Sequence, residues 1–198
     1  MELRTALEQR RMIRSFDGTP VDVTNLEELC AQALRAPSAG NSAGVYFIVG
    51  GVDRVHEYIE VATDPTWRER SRRIDGLARA GGVVLVASDP ATYLSRYAAA
   101  DKVSSGLSDR AAWQVPYWHT DAAMATMALL LLLEEEALQA TLWGNFRHDE
   151  AVKEWAGIPP TWELFGTVLL GRGDGADHRS ASLDRTTPTR AQRVLRVR

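Results

Sequence analysis

Cysteine is almost missing from this chain. Cys30 is the only one in 198 residues, which excludes an internal disulfide and fits a reducing, cytoplasmic setting. With one cysteine and four scattered histidines there is no thiolate zinc site, and no metal is expected. Long hydrophobic runs are missing too. The longest, Ala122 to Leu133, covers twelve residues, short of the roughly 20 that cross a bilayer core about 30 Å thick. Met1-Glu2-Leu3-Arg4 runs straight into a polar helix, so no signal peptide is expected. The net charge of -3 lacks the positive field that general nucleic-acid binding needs. There is no internal repeat and no low-complexity linker. No Ser-His-Asp or paired-carboxylate arrangement stands out, and His119 and His148 read as polar residues at helix starts rather than as general bases.

What is present is ordinary for a globular protein: 45% hydrophobic, 25% charged and 8% aromatic residues. The length predicts one domain over residues 1–198 with a real core. Helices are expected over Glu2–Arg11 and Val21–Leu34, the second opened by a Thr24/Glu27 capping box and stopped at Ala36-Pro37. Pro37 to Gly44 is a loop of small residues leading into the β-rich run Val45 to Val49. It is either a plain helix-to-strand connection or a place where a flat ligand lies against backbone, with Ser38 and Asn41 free to bond its edge. A short helix is expected over Asp53–Ala62, a very basic one over Trp67–Ala80, and a central strand over Gly82–Ala87. Ser88 to Trp118 reads as irregular and rich in aromatics (Tyr93, Tyr97, Trp113, Tyr117, Trp118), packing a lid or lining a site for a planar apolar substrate.

His119 to Leu138 reads as a long helix that is apolar nearly all round and so must be covered on every side, as a central core helix or one partly covered by a subunit interface. Ala140 to Trp143 is a short strand running into Gly144-Asn145-Phe146. Asp149–Ala156 is a helix ended at Gly157-Ile158-Pro159-Pro160, and Trp162–Leu170 a last strand. Arg179 to Arg198 holds six arginines and one acid, a tail that is either a disordered basic end or an arm that wraps a partner.

The stretch with most chemistry in it is Arg10 to Phe16, with three arginines in five residues ahead of the turn Asp17-Gly18-Thr19-Pro20. A guanidinium is a planar fork of donors that keeps its charge, suited to a phosphate or an anionic ring edge. Read alone, the stretch is equally a solvated basic turn.

Taken with its company, it resembles the opening motif of the nitroreductase family of FMN-dependent oxidoreductases. Arg10-Arg11-x-x-Arg14-x-Phe16 is followed by Ala36-Pro37-Ser38-x-x-Asn41 ahead of a strand, by a long apolar helix ahead of Leu142-Trp143-Gly144, and by Gly157-Ile158-Pro159 ahead of the last strand and Gly171. The order and spacing of four separated motifs carry the resemblance over nearly the whole chain. Tyr93 to Trp118, with Asp101-Lys102 and Val115-Pro116-Tyr117-Trp118, looks most like the short actinobacterial members.

The resemblance implies an α+β fold with a mixed central sheet flanked by helices, and an intertwined homodimer with FMN at the subunit interface. It implies that Arg10 and Arg11 hold the FMN phosphate and ribityl chain, and that Arg14 faces the pyrimidine edge, with Met12 between them. Pro37, Ser38, Ala39 and Asn41 would come from the other subunit. The backbone near Trp143 and Gly144 would donate to flavin N5, and residues 179–198 would cross to the partner, with Arg185 reaching the phosphate and Arg190 behind it. No side chain is assigned as catalytic, because the flavin carries the chemistry. The implied activity is ping-pong hydride transfer from NADH or NADPH, bound only transiently, to nitroaromatics, quinones or related electron-poor substrates. The alternatives are a flavin-binding dimer with little turnover, and an oxidase or dehydrogenase of a specialised metabolite. Three sites depart from the family's usual pattern: Met12 replaces a serine, Ala43 a glutamine, and the pair Thr186-Thr187 a basic pair before Pro188. Each lost contact weakens cofactor binding by about 1 kcal/mol or more.

Overall fold

The computed structural model describes residues 1–145, 147–178 and 180–197. Phe146, Arg179 and Arg198, which the sequence places after a strand and in the tail, lie outside the described residues. The organising strand is β2 (Gly82–Ser88), buried at every position, as a central strand with both faces covered must be. It pairs antiparallel with β1 (Val45–Gly51) and with β4 (Glu163–Gly171), and β4 pairs antiparallel with β3 (Gln139–Trp143), giving the order β1-β2-β4-β3. Among the described residues the expected mixture of strand directions comes down to one isolated parallel bridge, Met12 to Ala140.

Successive side chains of β2 point to opposite faces, and each face has its own core. Val84 and Val86 meet Leu26, Leu29, Cys30 and Ala33 of α2 (Val23–Ala33) and Ala122, Leu129 and Leu133 of α7 (Tyr117–Glu135). Burial pushes the Cys30 thiol up to about 12, so it stays a protonated apolar filler. Val83, Leu85 and Ala87 meet Val55, Tyr58 and Ile59 of α3 (Val52–Ala62), Val152 of α8 (Asp149–Ala156) and the fully buried Phe16. No helix among the described residues is long and apolar enough to cross a membrane.

Three details differ from the sequence reading. The cap of α2 is Asp22, whose carboxylate accepts from Thr24 N–H at 2.9 Å, rather than Thr24. The basic stretch 67–80 is two helices, α4 (Pro65–Arg70) and α5 (Ile74–Leu77), because Ser71 turns extended between them. Gly76 of α5 lies so close to the opening stretch that a Cβ there would stand 2.6 Å from Arg14 O. The segment 88–118 contains a regular helix, α6 (Pro90–Ala98), capped by Asp89 onto Ala91 N–H with proline in its first turn.

Glu163 fastens the rest of that segment to the sheet. It accepts from Arg110, from Trp118 Nε1 at 3.0 Å, and pairs with His119 Nε2 at 2.6 Å. Burial works to raise the Glu163 carboxyl, but these donors outweigh it and hold the group below its ordinary 4.5. A carboxyl lowered on folding stabilises the fold above its unfolded pKa and loses that contribution as pH falls through the folded value. Urea stability measured from pH 6 down to pH 3 is therefore expected to fall less steeply in Glu163→Gln than in the wild type, and equal slopes would remove this role from Glu163. Gly76→Ala is expected to lower unfolding stability by about 1–3 kcal/mol through overpacking. An unchanged urea midpoint would contradict that contact.

Candidate functional site

The opening stretch is laid along the sheet edge. Arg10 ends α1 (Leu3–Gln9), its N–H donating to Ala6 O at 3.0 Å before the backbone turns extended. Ile13 N–H then donates to Ala140 O at 3.0 Å and Asp17 N–H to Arg172 O at 2.9 Å. From the other side Phe16 N–H donates to Gly76 O at 3.2 Å, and Arg79 Nε donates to Phe16 O at 2.9 Å. Arg79 also pairs with Asp174 at 2.7 Å, and Asp174 accepts from Ser15 Oγ at 2.8 Å. Buried Phe16 and these bonds fix the direction in which the preceding arginines leave the backbone.

The three guanidinium groups have different surroundings. Arg10 has Nε and Nη1 buried with no hydrogen-bond partner. A buried charged donor left unpaired costs several kcal/mol, so this group calls for an anion. Exposed Arg11 folds back and donates from Nη1 to the carbonyls of Glu8 (2.5 Å), Gln9 (3.2 Å) and Arg10 (3.1 Å), placing its charge on the C-terminus of α1. Arg14 is half-buried. Its Nη1 donates to Met12 O at 3.4 Å and its backbone N–H to Asp177 Oδ2 at 3.2 Å. Met12 points inward, its Sδ accepting from Leu142 N–H at 3.4 Å.

That last contact brings the first motif beside the third. β3 runs on from Leu142 to Trp143, and Gly144 is the first residue past the paired ladder. Trp143 and Gly144 line a cavity of about 270 Å³ together with Thr63, Asp64, Trp67 and His148. Tyr58 braces the Trp143 ring edge-on at 6.1 Å and donates from its hydroxyl to Asn145 Oδ1 at 2.7 Å. Burial raises the Tyr58 phenol far above its ordinary range, so it remains a donor.

The loop of the second motif lies elsewhere in the chain. Pro37 and Ser38 line a separate, smaller cavity with Ala43, Asp121 and Ala125. Asp121, buried within the apolar α7, accepts from Ala39 N–H at 2.8 Å and from Tyr93 Oη at 2.9 Å, both on Oδ2. Ser38 Oγ accepts from Ala43 N–H at 3.0 Å, and Arg96 Nε donates to Gly40 O at 2.9 Å. Gly40, Asn41 and Ala43 all have positive φ, 61°, 55° and 55°. For Asn41 and Ala43 that conformation is strained, and it persists because the bonds around it over-determine the loop. A Cβ on Gly40 would sit 2.8 Å from the Tyr97 ring, so glycine is required there twice over. Within one chain, then, the structure sets Met12 against Leu142, next to Trp143 and Gly144, with Arg10 and Arg14 on either side of Met12 in the opening stretch, while the loop of Pro37, Ser38, Ala39 and Asn41 borders a different cavity. Arg185 lies exposed just after the turn Ala181–Asp184.

Sequence reading did not single out Asp121 or Trp67. Asp121 could have been found as the lone carboxylate in an apolar helix. Trp67 carried no such signal, being a tryptophan in what read as a solvated basic helix. The residues present fit FMN: the unpartnered Arg10 nitrogens suit its phosphate, the ladder end at Trp143–Gly144 offers backbone, and a rigid loop with positive φ offers a flat support. Met12 brings no donor to that set.

The sequence profile of the Nitroreductase family matches residues 7–172. A protein of Archaeoglobus fulgidus named "Putative NADH dehydrogenase/NAD(P)H nitroreductase" is 28% identical over 191 residues, covering 93% of this chain and 92% of its own. The nitroreductase CinD from Lactococcus lactis, solved with chloramphenicol and with nicotinic acid, superposes with TM-scores of 0.75 and 0.76 over the whole of both chains at 20% identity. A nitroreductase family protein from Streptococcus pneumoniae gives 0.72 at 17% identity, again over both whole chains. At these identities the structures speak for the fold alone, while the profile covers most of the sequence. The chain belongs to the nitroreductase family of oxidoreductases.

Proposed function

We propose that the protein is an FMN-dependent oxidoreductase that takes reducing equivalents from NAD(P)H and passes them to nitroaromatics, quinones or similar electron-poor substrates, working as a homodimer of single-domain subunits. The observation that carries this reading is the partly buried Arg10 guanidinium, with its Nε and Nη1 unpartnered. The A. fulgidus relative's name and the aromatic ligands of CinD support the substrate class.

Bound FMN would supply a centre that accepts hydride from NAD(P)H and gives it to the second substrate. This chain's residues bind and orient. Arg10 neutralises the phosphate, and Arg14, tied through its backbone to Asp177, brings positive charge to the ring edge. Trp143 and Gly144 present backbone at the reacting edge, and the indoles of Trp143 and Trp67, 5.7 Å apart, keep that side apolar and shed water. A second copy would bring the loop 37–41 over the ring. The separation of that loop from Trp143 within one chain supports this, as does a C-terminal arm that leaves Leu183, Val194, Leu195 and Val197 more than 60% exposed. The arm would cross to the partner and present Arg185.

Met12 favours a second reading, a dimer that holds flavin with little turnover, because its sulfur is committed to Leu142 N–H and offers the phosphate nothing. Tight flavin without NAD(P)H oxidation in the presence of a nitroaromatic or quinone would select that reading.

The test is to add FMN, desalt, and quantify retained flavin by absorbance. The wild type is expected to retain about one FMN per subunit. Arg10→Ala combined with Arg14→Ala is expected to lower FMN affinity about 100-fold or more, at about 1.5–3 kcal/mol per charged contact, with no change in oligomeric state by light scattering. Full occupancy in the double variant would refute the roles given to these arginines.

A further inference from the structure

The loop of the second motif rests on a platform that α6 and α7 build together. Tyr93, Arg96 and Tyr97 recur at the three- and four-residue spacing that puts them on one face of α6. Each meets the loop. A Cβ on Gly44 would stand 2.6 Å from the Tyr93 ring and one on Gly40 2.8 Å from the Tyr97 ring, while Arg96 Nε donates to Gly40 O at 2.9 Å. Arg96 is itself held, donating to both oxygens of the Asp101 carboxylate at 2.8 and 2.7 Å. From α7 comes Asp121, 2% exposed, whose Oδ2 takes both the Ala39 N–H and the Tyr93 hydroxyl. No cation forms an ion pair with Asp121 among the described residues, and its Oδ1 has only a long contact with the Thr120 hydroxyl at 3.5 Å. Burying a carboxylate among neutral donors is costly, and an apolar pair would join α6 to α7 at less cost. What an apolar side chain cannot do is accept the Ala39 N–H, in a loop whose Asn41 and Ala43 are both strained at φ 55°.

We infer that Asp121 is a positioning residue for the flavin: through the Ala39 N–H it holds the loop 37–41 in the left-handed shape that supports the ring of FMN bound to a second copy of the chain. This deepens the proposed function, and it rests on that reading for the dimer and the cofactor. Asp121 touches neither flavin nor substrate and acts only through the backbone of Ala39. The ordering of the loop is completed on folding, so flavin binding does not have to supply it. The same oxygen holds Tyr93, which ties the loop to α6 at the start of the aromatic segment 88–118. Loss of the carboxylate therefore weakens flavin binding and loosens the loop amides, while the core formed by the rest of α7 stays closed.

The test measures FMN affinity by fluorescence titration in the wild type, Asp121→Asn, Asp121→Leu and Leu133→Ala, with a urea midpoint and a light-scattering mass for each. Amide hydrogen exchange over residues 37–44 is followed in the flavin-free proteins. Asp121→Leu is expected to lower FMN affinity about 10-fold or more, as loss of a hydrogen bond to a charged group implies, and to speed exchange in the loop. Asp121→Asn keeps an oxygen acceptor and is expected to stay within about 3-fold of the wild type. Leu133→Ala opens a cavity in the buried core of the same helix. It is expected to lower the urea midpoint at least as far as Asp121→Leu and to leave FMN affinity unchanged, which separates positioning from stability. If Asp121→Leu gives no soluble dimer, Ala39→Pro removes the same hydrogen bond from the loop's side, where Ser38 is already extended as a residue before proline must be, and the same loss is expected. Unchanged affinity in the variant that lacks the bond, equal losses in Asp121→Asn and Asp121→Leu, or losses that follow the urea midpoint across all variants would each overturn the role. A wild type that takes up no FMN would refute the proposed function and this role with it, whereas normal FMN binding in both the wild type and Asp121→Leu would refute the role alone.

Discussion

The hydrogen bond from Ile13 N–H to Ala140 O decides where everything else about the site can be. It seats the opening stretch along β3, and from that seat Phe16 reaches the core beneath α3 and α8 while Arg10 is left at the end of α1 with its guanidinium partly buried. A side chain carrying a permanent charge does not settle in such a place without a partner at no cost. Arg79 and Asp174 hold the far end of the same stretch in place. The cost of that buried cation is what an anionic cofactor would relieve, and it links the local backbone pairing to the family's chemistry.

The two halves of the site obey different physics. The Arg10–Trp143 half is built on sheet pairing and on β-strand side chains, which leaves little freedom. The loop half has no such support, and three nearby residues in the left-handed region are held only by the hydrogen bonds around them. Asp121 is the hub: one buried carboxylate oxygen accepts both Ala39 N–H and the Tyr93 hydroxyl. Burial and that bond keep the Tyr93 proton in place at any ordinary pH. The loop can thus be rigid in the free chain, ready to meet a second copy rather than shaped by it.

Much of the fold was legible. β2 announced itself as a valine-rich apolar run, α8 matched the expected Asp149–Ala156 because Gly157 ends it in a left-handed turn, and the order of motifs led to the family. The splitting of 67–80 was not legible, since Ser71 carries no breaking signal and its extended backbone shows only in the folded chain. Helix α6 was hidden by its aromatics, which read as irregular although Asp89-Pro90 is a sound helix start. Within the site, the identity of the arginines was plain but their fates were not. Nothing in Arg10-Arg11 tells that one guanidinium is buried and the other caps its own helix. The cavity of Trp67 and Arg147 unites residues about eighty positions apart, and only the folded chain assembles it.

The most direct test of the central claim compares FMN with riboflavin, which lacks only the phosphate, by calorimetric titration of the wild-type protein. If the buried Arg10 guanidinium is completed by a phosphate, FMN binds at least about 10-fold tighter than riboflavin, one charged contact being worth about 1.5–3 kcal/mol. Equal affinity for the two, or no binding of either, would contradict the account, because the buried charge would then have some other partner.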